Sequence, residues 1–153
     1  MASQNASQYA SYANIQPAYN AQKEKDAKEI EALLSQNEPV NFYSYREKLG
    51  NLFYDKVGIV RDNDQLHEAL EEVRSMQETQ KKMGIIDKSL TNNQNLIDFL
   101  EFQNALLLAP AIITSAIARD ESRGAHYKVG FENEDETLKK HSIFQWKKEE
   151  RCK

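Results

Sequence analysis

The chain has 153 residues, the size of a single domain and enough to bury a hydrophobic core. Hydrophobic residues make up 40% of it and charged residues 29%, while glycine (5) and proline (3) are scarce, which favours a soluble helical protein over a turn-rich β fold. The net charge of −4 argues against a dedicated nucleic-acid-binding protein, because such proteins carry a basic face.

Cysteine content and apolar segments bear on redox chemistry and membrane insertion. Cys152 is the only cysteine, so the chain cannot form an internal disulfide or a cysteine-based zinc site. The N-terminus lacks the basic-then-apolar pattern of a signal peptide. The longest apolar stretch, residues 105–118, is interrupted by Pro110 and falls short of the roughly 20 residues that a membrane helix needs. We therefore predict a buried helix there and no direct membrane insertion.

The N-terminal residues 1–20 are rich in Ala, Ser, Gln and Asn and carry no charge, which is typical of a polar linker or tail. Alternatively, they belong to a neighbouring domain on which Tyr9, Tyr12 and Tyr19 would pack. A short helix is predicted over residues 22–35, because apolar residues recur on one side of it.

Two amphipathic helices follow in the chain. Apolar residues at three- and four-residue steps predict one over residues 41–56, with Gly58 at its end. The clearest pattern is that of the next helix, which Asp62 or Asn63 can cap and which Gly84 ends. Its predicted inner stripe comprises Leu66, Ala69, Leu70, Val73, Met76, Gln80 and Met83.

A fourth helix is predicted over residues 94–119, after a loop at residues 85–94. Apolar residues occur nearly all round this helix, so it must be surrounded by other elements. We expect it to be central in the bundle or to lie against another domain or subunit. Pro110 should kink it, because proline lacks a backbone N–H and crowds the preceding turn.

The helical pattern ends after residue 120. Residues 121–135 are polar and contain two glycines, which predicts a loop or extended chain. The pattern as a whole predicts an all-α fold, a three-helix bundle with a short extra N-terminal helix and an irregular C-terminal tail. We divide the chain into a polar linker or tail (1–20), a helical bundle (21–125) and an irregular charged C-terminal segment (126–153).

A search for catalytic and metal-binding patterns finds little. The sequence from His67 reads HEALEE and lacks the second histidine at i+4 of a zinc-binding helix, so an exposed helix surface is the favoured interpretation. No glycine-rich phosphate-binding motif and no G-x-S-x-G nucleophile motif occurs. The carboxylates fall mostly on predicted exposed faces, so no pair is isolated for acid–base catalysis. We therefore predict no catalytic, cofactor-binding or metal-binding residue in this chain.

One segment, directly after the apolar helix, does not fit a generic bundle. It consists of Glu121, Ser122, Arg123, Gly124, Ala125, His126, Tyr127 and Lys128. Gly124 permits a positive φ and hence a sharp turn. Arg123 and His126 would then lie at a ligand-binding site or a subunit boundary. The favoured alternative is a helix C-cap in which both side chains bond to carbonyl groups inside the fold.

The stretch ARDESRGAHY, residues 118–127, resembles the signature near the C-terminal end of succinate dehydrogenase and fumarate reductase flavoproteins. Residues 57–61 (VGIVR) resemble the family's segment before its second long helix, and residues 100–104 (LEFQN) resemble the start of the next helix. Residues 135–142 resemble its acidic-then-histidine ending. The similarity covers about residues 24–146, most of the chain.

The resemblance implies a three-helix bundle like a spectrin repeat, which packs beside the flavin-binding domain of the same subunit and near the iron–sulfur subunit. The whole enzyme of this family interconverts succinate and fumarate. Hydride passes to or from a covalently held FAD, and electrons pass through iron–sulfur clusters to a membrane quinone. The resemblance also implies that this domain lies in the cytoplasm, at the inner face of the cytoplasmic membrane, where its partner subunits hold it.

The residues that perform the family's chemistry do not match this sequence. The flavin-attachment histidine, the proton-donor arginine and the main dicarboxylate ligands of the family all lie in earlier domains. The resemblance therefore assigns no catalytic residue and no FAD contact to this chain, only a structural or domain-interface role for residues 121–127. The 153-residue chain is expected to be inactive alone.

The sequence departs from the family pattern after the motif. Lys128 stands where the family often has Arg, and Leu138 where it often has Trp, which indicates a divergent branch. L-aspartate oxidase shares the architecture but usually has Leu at the position of Ala125, so it is the second candidate within the superfamily. A free-standing helical protein-interaction module, with apolar faces that meet a partner or a second copy, is the alternative outside this superfamily.

Overall fold

The structure is a computed structural model that describes residues 12–36 and 40–145. Its four helices are α1 (Tyr12–Ser35), α2 (Tyr43–Lys56), α3 (Asn63–Gln80) and α4 (Gln94–Ile117). Its two-residue strands are β1 (Val40–Asn41), β2 (Val60–Arg61), β3 (Met83–Gly84) and β4 (Tyr127–Lys128), and a 3-10 helix spans Glu136–Leu138. The predicted all-α fold is confirmed: α2, α3 and α4 form the bundle, with α3 packed against both of the others.

The hydrophobic core lies between α2, α3 and α4. The α3 stripe from Leu66 to Met76 is buried as predicted. Phe42, just before α2, is buried and packs its ring edge-on against Phe99 of α4, at 5.1 Å between ring centroids. Burying a side chain of this size contributes about 1.5–3 kcal/mol to stability, so this contact helps to hold the start of α2 against α4.

The two ends of α3 differ in how well its sequence predicts them. Asp62 caps the first turn, since its carboxylate accepts hydrogen bonds from the backbone N–H groups of Asp64 (2.9 Å) and Gln65 (3.2 Å). The helix ends at Gln80, before the predicted stop at Gly84. The reason is a long-range contact, because β3 pairs in parallel with β1 and thereby takes Met83 and Gly84 out of the helix.

Helix α1 begins at Tyr12, ten residues before the predicted start at residue 22, and it is not short. Alanine and glutamine are frequent in this segment and favour a helix, although the same composition had predicted a linker up to residue 20. Most of α1 is exposed, and only Leu33 and Leu34 pack partly on the core. Residues 1–11, including Tyr9, lie outside the described part of the chain, so the division of the chain at residue 20 stays a prediction.

Helix α4 contributes core residues but is not the central element, because α3 packs against both other helices while Leu108 and Ile112 of α4 remain exposed. The alternative prediction, that α4 lies against another domain or subunit, stays open. Asn93 caps α4 by accepting a hydrogen bond from the N–H of Leu96 at 2.7 Å, and the helix ends at Ile117, two residues before the predicted end. The helix continues through Pro110, whose missing N–H leaves the carbonyl of Leu106 without its partner within the helix. Gln77 of α3 replaces that partner, donating from Nε2 to the Leu106 carbonyl at 3.1 Å.

By length and composition alone, α4 could cross a membrane, which differs from the prediction that the apolar stretch is too short. A single helix of this kind is weak support for a membrane span, since the core helix of a globular protein has the same properties. The following residues of α4 are buried in the core: Phe99, Phe102, Leu106, Ala109, Ile113 and Ala116.

The segment after α4 folds back onto the bundle. Strand β4 pairs in parallel with β2, so Tyr127 lies opposite Val60 and Lys128 opposite Arg61. The C-terminal segment is therefore only partly irregular, because β4 and the 3-10 helix interrupt it. Residues 146–153, with Trp146 and Cys152, lie outside the described part of the chain.

Candidate functional site

The motif of residues 121–127 forms a tight turn at the C-terminal end of α4. Gly124 has a φ of +59°, in the left-handed region that its lack of a side chain permits. On either side of it, the backbone groups of Arg123 and His126 bond to each other, with N···O distances of 2.8 and 3.1 Å. The turn therefore brings Arg123 and His126 together at the point where β4 joins β2.

Glu121 is the buried centre of this turn, with no exposed surface. Its Oε2 accepts hydrogen bonds from Nε of Arg123 (3.1 Å) and from the N–H of Asp135 (2.9 Å), and its Oε1 accepts one from Arg119. The hydrogen bond from Arg123 is the main reason that the pKa of Glu121 falls to about 2, although burial opposes this. A carboxylate held so firmly ionised is unsuited to proton transfer near neutral pH.

Arg123 ties the turn to the segment that follows it. Besides Glu121, its guanidinium donates to the carboxylate of Glu134 (2.8 Å) and to the carbonyl of Asp135 (3.3 Å). The bond to Glu121 raises the pKa of Arg123. These contacts favour the structural interpretation of Arg123 over a role in binding a ligand, because its donors already have partners within the fold.

His126 is nearly buried, and its partners define its protonation state. Nη1 of Arg61 lies against Nδ1, and since arginine can only donate, Nδ1 must accept. Nε2 then carries the proton and donates to the carbonyl of Arg119 at 3.1 Å. Burial is the main cause that lowers the pKa of His126, and the charge of Arg61 adds to it. The ring is thus a neutral connector between α4 and β2.

Lys128 is a buried cation, and the sequence predicted no specific role for it. Its ammonium group donates to the carbonyls of Ala116 (3.3 Å) and Ile117 (2.7 Å), the last carbonyls of α4, and to the carboxylate of Asp120 (2.6 Å). A cation is favourable at a helix C-terminus, where unpaired carbonyls concentrate partial negative charge. Lys128 therefore caps α4, although it lies in a strand eleven residues beyond the helix end.

The remaining motif residues divide between the interior and the surface. The hydroxyl of Ser122 accepts a hydrogen bond from the N–H of Lys128 (2.9 Å) and donates to the carbonyl of Phe131 (2.7 Å). Ala125 is exposed, and so is Tyr127. Of the predicted motif residues, these two alone have exposed side chains.

The other histidines do not extend the site. His67 lies on the exposed surface of α3, and His141 lies in the exposed C-terminal segment. Within residues 12–36 and 40–145, no group of three or more His, Cys, Asp or Glu side chains is placed to hold a metal ion.

A groove with a volume of about 590 Å³ opens beside the turn. Its residues include Leu108 and Ile112 of α4 together with Arg61, Arg119 and His126. Leu108 and Ile112 also line an adjoining groove of about 460 Å³ between α2 and α4. Neither groove was predicted, although the apolar outer face of α4 was the signal from which a contact surface could have been inferred.

Comparison with known proteins places the chain in a family. The family profile described as "Fumarate reductase flavoprotein C-term" matches residues 46–153. The chain belongs to this family. The match includes most of α2, all of α3 and α4 and the whole Glu121–Tyr127 turn, and it confirms the predicted resemblance.

Curated relatives of the chain come from bacteria, an archaeon and a plant. The chain is 33% identical over 123 residues to the succinate dehydrogenase flavoprotein subunit of Bacillus subtilis. The aligned region covers 79% of this chain and 21% of that protein. The chain is 30% identical over 129 residues to the fumarate reductase flavoprotein subunit of Haemophilus influenzae, covering 84% of this chain and 22% of that protein. The chain thus spans about a fifth of the length of the relatives that it matches.

Solved structures of respiratory enzymes share the fold. The chain superposes on a variant of the E. coli quinol fumarate reductase flavoprotein with a TM-score of 0.72 at 27% identity, over 78% of this chain and 21% of that one. A structure described as quinol–fumarate reductase with menaquinol molecules matches with a TM-score of 0.70 at 28% identity, over 76% of this chain and 21% of the other.

Proposed function

We propose that this chain is the C-terminal structural and subunit-docking domain of a succinate dehydrogenase or fumarate reductase flavoprotein and has no catalytic activity alone. The observation that carries the proposal is the outer face of α4. This helix buries one face in the core, yet Leu108 and Ile112 on its other side remain exposed. Contiguous exposed apolar surface is typical of an interaction site.

The internal chemistry of the turn supports a structural role. Glu121, Arg123 and Lys128 are saturated by partners within the chain, so the turn locks the end of α4 rather than presenting reactive groups. A rigid helix end is what a docking surface requires, because ordering it in advance lowers the entropy lost on association.

The relatives supply the rest of the proposal. The whole flavoprotein would interconvert succinate and fumarate through FAD, iron–sulfur clusters and quinone, with FAD held by domains other than this one. The partners of this domain would be the flavin-binding domain of the same subunit and the iron–sulfur subunit. Nucleic acid and direct membrane insertion form no part of the proposal, and the domain would lie on the cytoplasmic side of the membrane.

The test is purification of the native complex with an antibody raised against residues 60–120. We expect the captured material to contain bound flavin and an iron–sulfur protein, and to reduce fumarate with a reduced dye. Captured flavoprotein that oxidises L-aspartate, with no iron–sulfur partner, would instead identify an L-aspartate oxidase. Captured protein without flavin would overturn the proposal in favour of a free-standing interaction module.

A further inference from the structure

The groove beside the motif turn, hereafter the α4 groove, combines an apolar floor with cationic walls. Leu108 and Ile112 form the floor and remain 55% and 48% exposed. Arg61 and Arg119 line the groove, and none of the described residues that line it is an aspartate or a glutamate. The groove therefore offers positive charge next to uncovered apolar surface.

Arg119 is less available to a ligand than Arg61, because both of its Nη groups already have partners. Its guanidinium pairs with the buried carboxylate of Glu121 and donates to the carbonyls of Leu138 (3.0 Å) and Lys140 (2.6 Å). A further hydrogen bond reaches the hydroxyl of Ser142 at 3.3 Å. Arg119 thus fastens the C-terminal segment to α4, and its charge is neutralised.

Arg61 differs in that no described carboxylate pairs with it. Its Nε donates to the carbonyls of Val57 (3.2 Å) and Gly58 (2.8 Å), and Nη1 meets the neutral ring of His126. Within the described part of the chain, nothing accepts a hydrogen bond from Nη2. Burial lowers the pKa of Arg61. A partly desolvated guanidinium is normally paired, since leaving it unpaired is costly.

The apolar floor is longer than one small ligand needs. It continues along α4 into the adjoining groove, where Phe53 of α2 lies beside Leu108 and Ile112. A free carboxylate ion would pair with the guanidinium but leave this surface uncovered. A polypeptide segment satisfies both features, because it can present an acidic and an apolar side chain together.

We propose that the α4 groove binds a segment of a partner protein in which an aspartate or glutamate lies beside a large apolar side chain. The carboxylate pairs with the free edge of the Arg61 guanidinium, and the apolar side chain covers Leu108 and Ile112. Arginine suits this role because its planar fork matches a carboxylate with two parallel hydrogen bonds. The inference rests on the proposed docking function and specifies the chemistry of the docked surface.

Photo-cross-linking in the producing cells tests this inference on the full chain. The photoreactive residue p-benzoylphenylalanine replaces Phe144, which lines the groove and already carries an aromatic ring. Mass spectrometry then identifies the linked peptide. We expect a peptide with an aspartate or glutamate beside a large apolar residue. A folded protein that gives no protein cross-link, or a linked peptide without a carboxylate, would overturn the inference.

Variants of two adjacent leucines provide the matched control. Leu108→Glu removes part of the apolar floor of the α4 groove and places a competing carboxylate near Arg61. Leu107 is also exposed but lines neither groove, so Leu107→Glu is the control. Both positions are on the surface, so both variants should fold. We expect Leu108→Glu to lower the cross-linking yield about tenfold and Leu107→Glu to leave it nearly unchanged. Equal yields for the two variants would contradict the proposed contact.

A reciprocal charge exchange tests the ion pair itself. Arg61→Glu should abolish the cross-link, and changing the acid in the linked peptide to arginine should restore it in that background. If Arg61→Glu does not fold, the comparison of Leu108→Glu with Leu107→Glu still tests the inference. If the cross-linked protein belongs to no flavoenzyme but the charge exchange restores the cross-link, the proposed function is refuted and this inference is not. If the cross-linked protein belongs to a flavoenzyme but the cross-link does not depend on charge, this inference is refuted and the proposed function is not.

Discussion

Glu121 shows at the scale of one residue how burial and charge combine in this fold. The carboxylate has no exposed surface, yet two arginines and a backbone N–H hold it ionised. A buried charge is tolerated only when it is paired and hydrogen-bonded in this way. The consequence is that acid should loosen the turn through Glu121.

The pKa of Glu121 predicts a defined pH dependence of stability. The folded value is about 2, whereas the ordinary value is 4.5. Between these values the unfolded chain binds the proton and the folded chain does not, so the stability that Glu121 contributes is lost as the pH falls from about 4.5 to about 2. Urea midpoints measured over this range should fall more steeply for the wild type than for Glu121→Gln. Parallel curves would contradict the assignment.

Lys128 supports a second prediction at this scale. Lys128→Met keeps an apolar chain of similar length but leaves the carbonyls of Ala116 and Ile117 without their donor. We expect a loss of about 1–3 kcal/mol in the free energy of unfolding. Lys139 is the control, because it is exposed and pairs with Glu136 at 3.4 Å, so Lys139→Met should cost less than about 0.5 kcal/mol. Equal losses in chemical denaturation would refute the capping role.

The capping role of Lys128 and the contact between Arg61 and His126 could not have been predicted from the residues alone. Lysine is rarely buried, so its place in the printed sequence indicates an exposed side chain. Arg61 and His126 are separated by 65 positions and meet only because β2 pairs with β4. Gly124, in contrast, was predicted to permit a sharp turn because glycine tolerates a positive φ, and it has one.

At the scale of elements, α4 depends on α3 for more than hydrophobic contact. Pro110 deprives the Leu106 carbonyl of its helical donor, and Gln77 supplies one from the neighbouring helix. Burying a carbonyl without a partner is costly, so this single side chain compensates a missing hydrogen bond in α4.

A double-mutant cycle tests that compensation. Gln77→Leu should lower the free energy of unfolding by about 1–3 kcal/mol in the wild type. In the Pro110→Ala background the loss should shrink, because Ala at this position donates its own N–H to the Leu106 carbonyl. Gln65→Leu, on the exposed part of α3, serves as the control for adding an apolar side chain. The same loss in both backgrounds would show that Gln77 acts in another way.

The helices with strong periodicity are the elements that the sequence predicts well. Asp62 and the α3 stripe carry local signals, a capping side chain and a 3.6-residue repeat, and both are confirmed, the stripe from Leu66 to Met76. Gln80 is only half-buried and Met83 lies in β3, so the end of the predicted stripe was wrong. The parallel pairs β1–β3 and β2–β4 have no such signal, because two residues cannot establish a period. They nevertheless decide where α3 ends and where the motif turn docks.

At the scale of the whole molecule, Arg123 connects local stability to assembly. Its contacts with Glu121, Glu134 and Asp135 hold the turn that follows α4. In the native complex, Arg123→Ala should lower the amount of assembled flavoprotein several-fold, while turnover per bound flavin stays unchanged. Arg74→Ala, which removes an exposed arginine paired with Glu71, should change neither quantity. Normal assembly with a selective loss of turnover would contradict the structural role.

The central claim is that this domain serves a larger flavoprotein, and the size of the native polypeptide tests it most directly. Immunoblotting of whole cells with the antibody against residues 60–120 gives that size. We predict a single band far above the 17.7 kDa of this chain, because the relatives that it matches are about five times as long. A band at 17.7 kDa would contradict the claim and identify a free-standing helical protein.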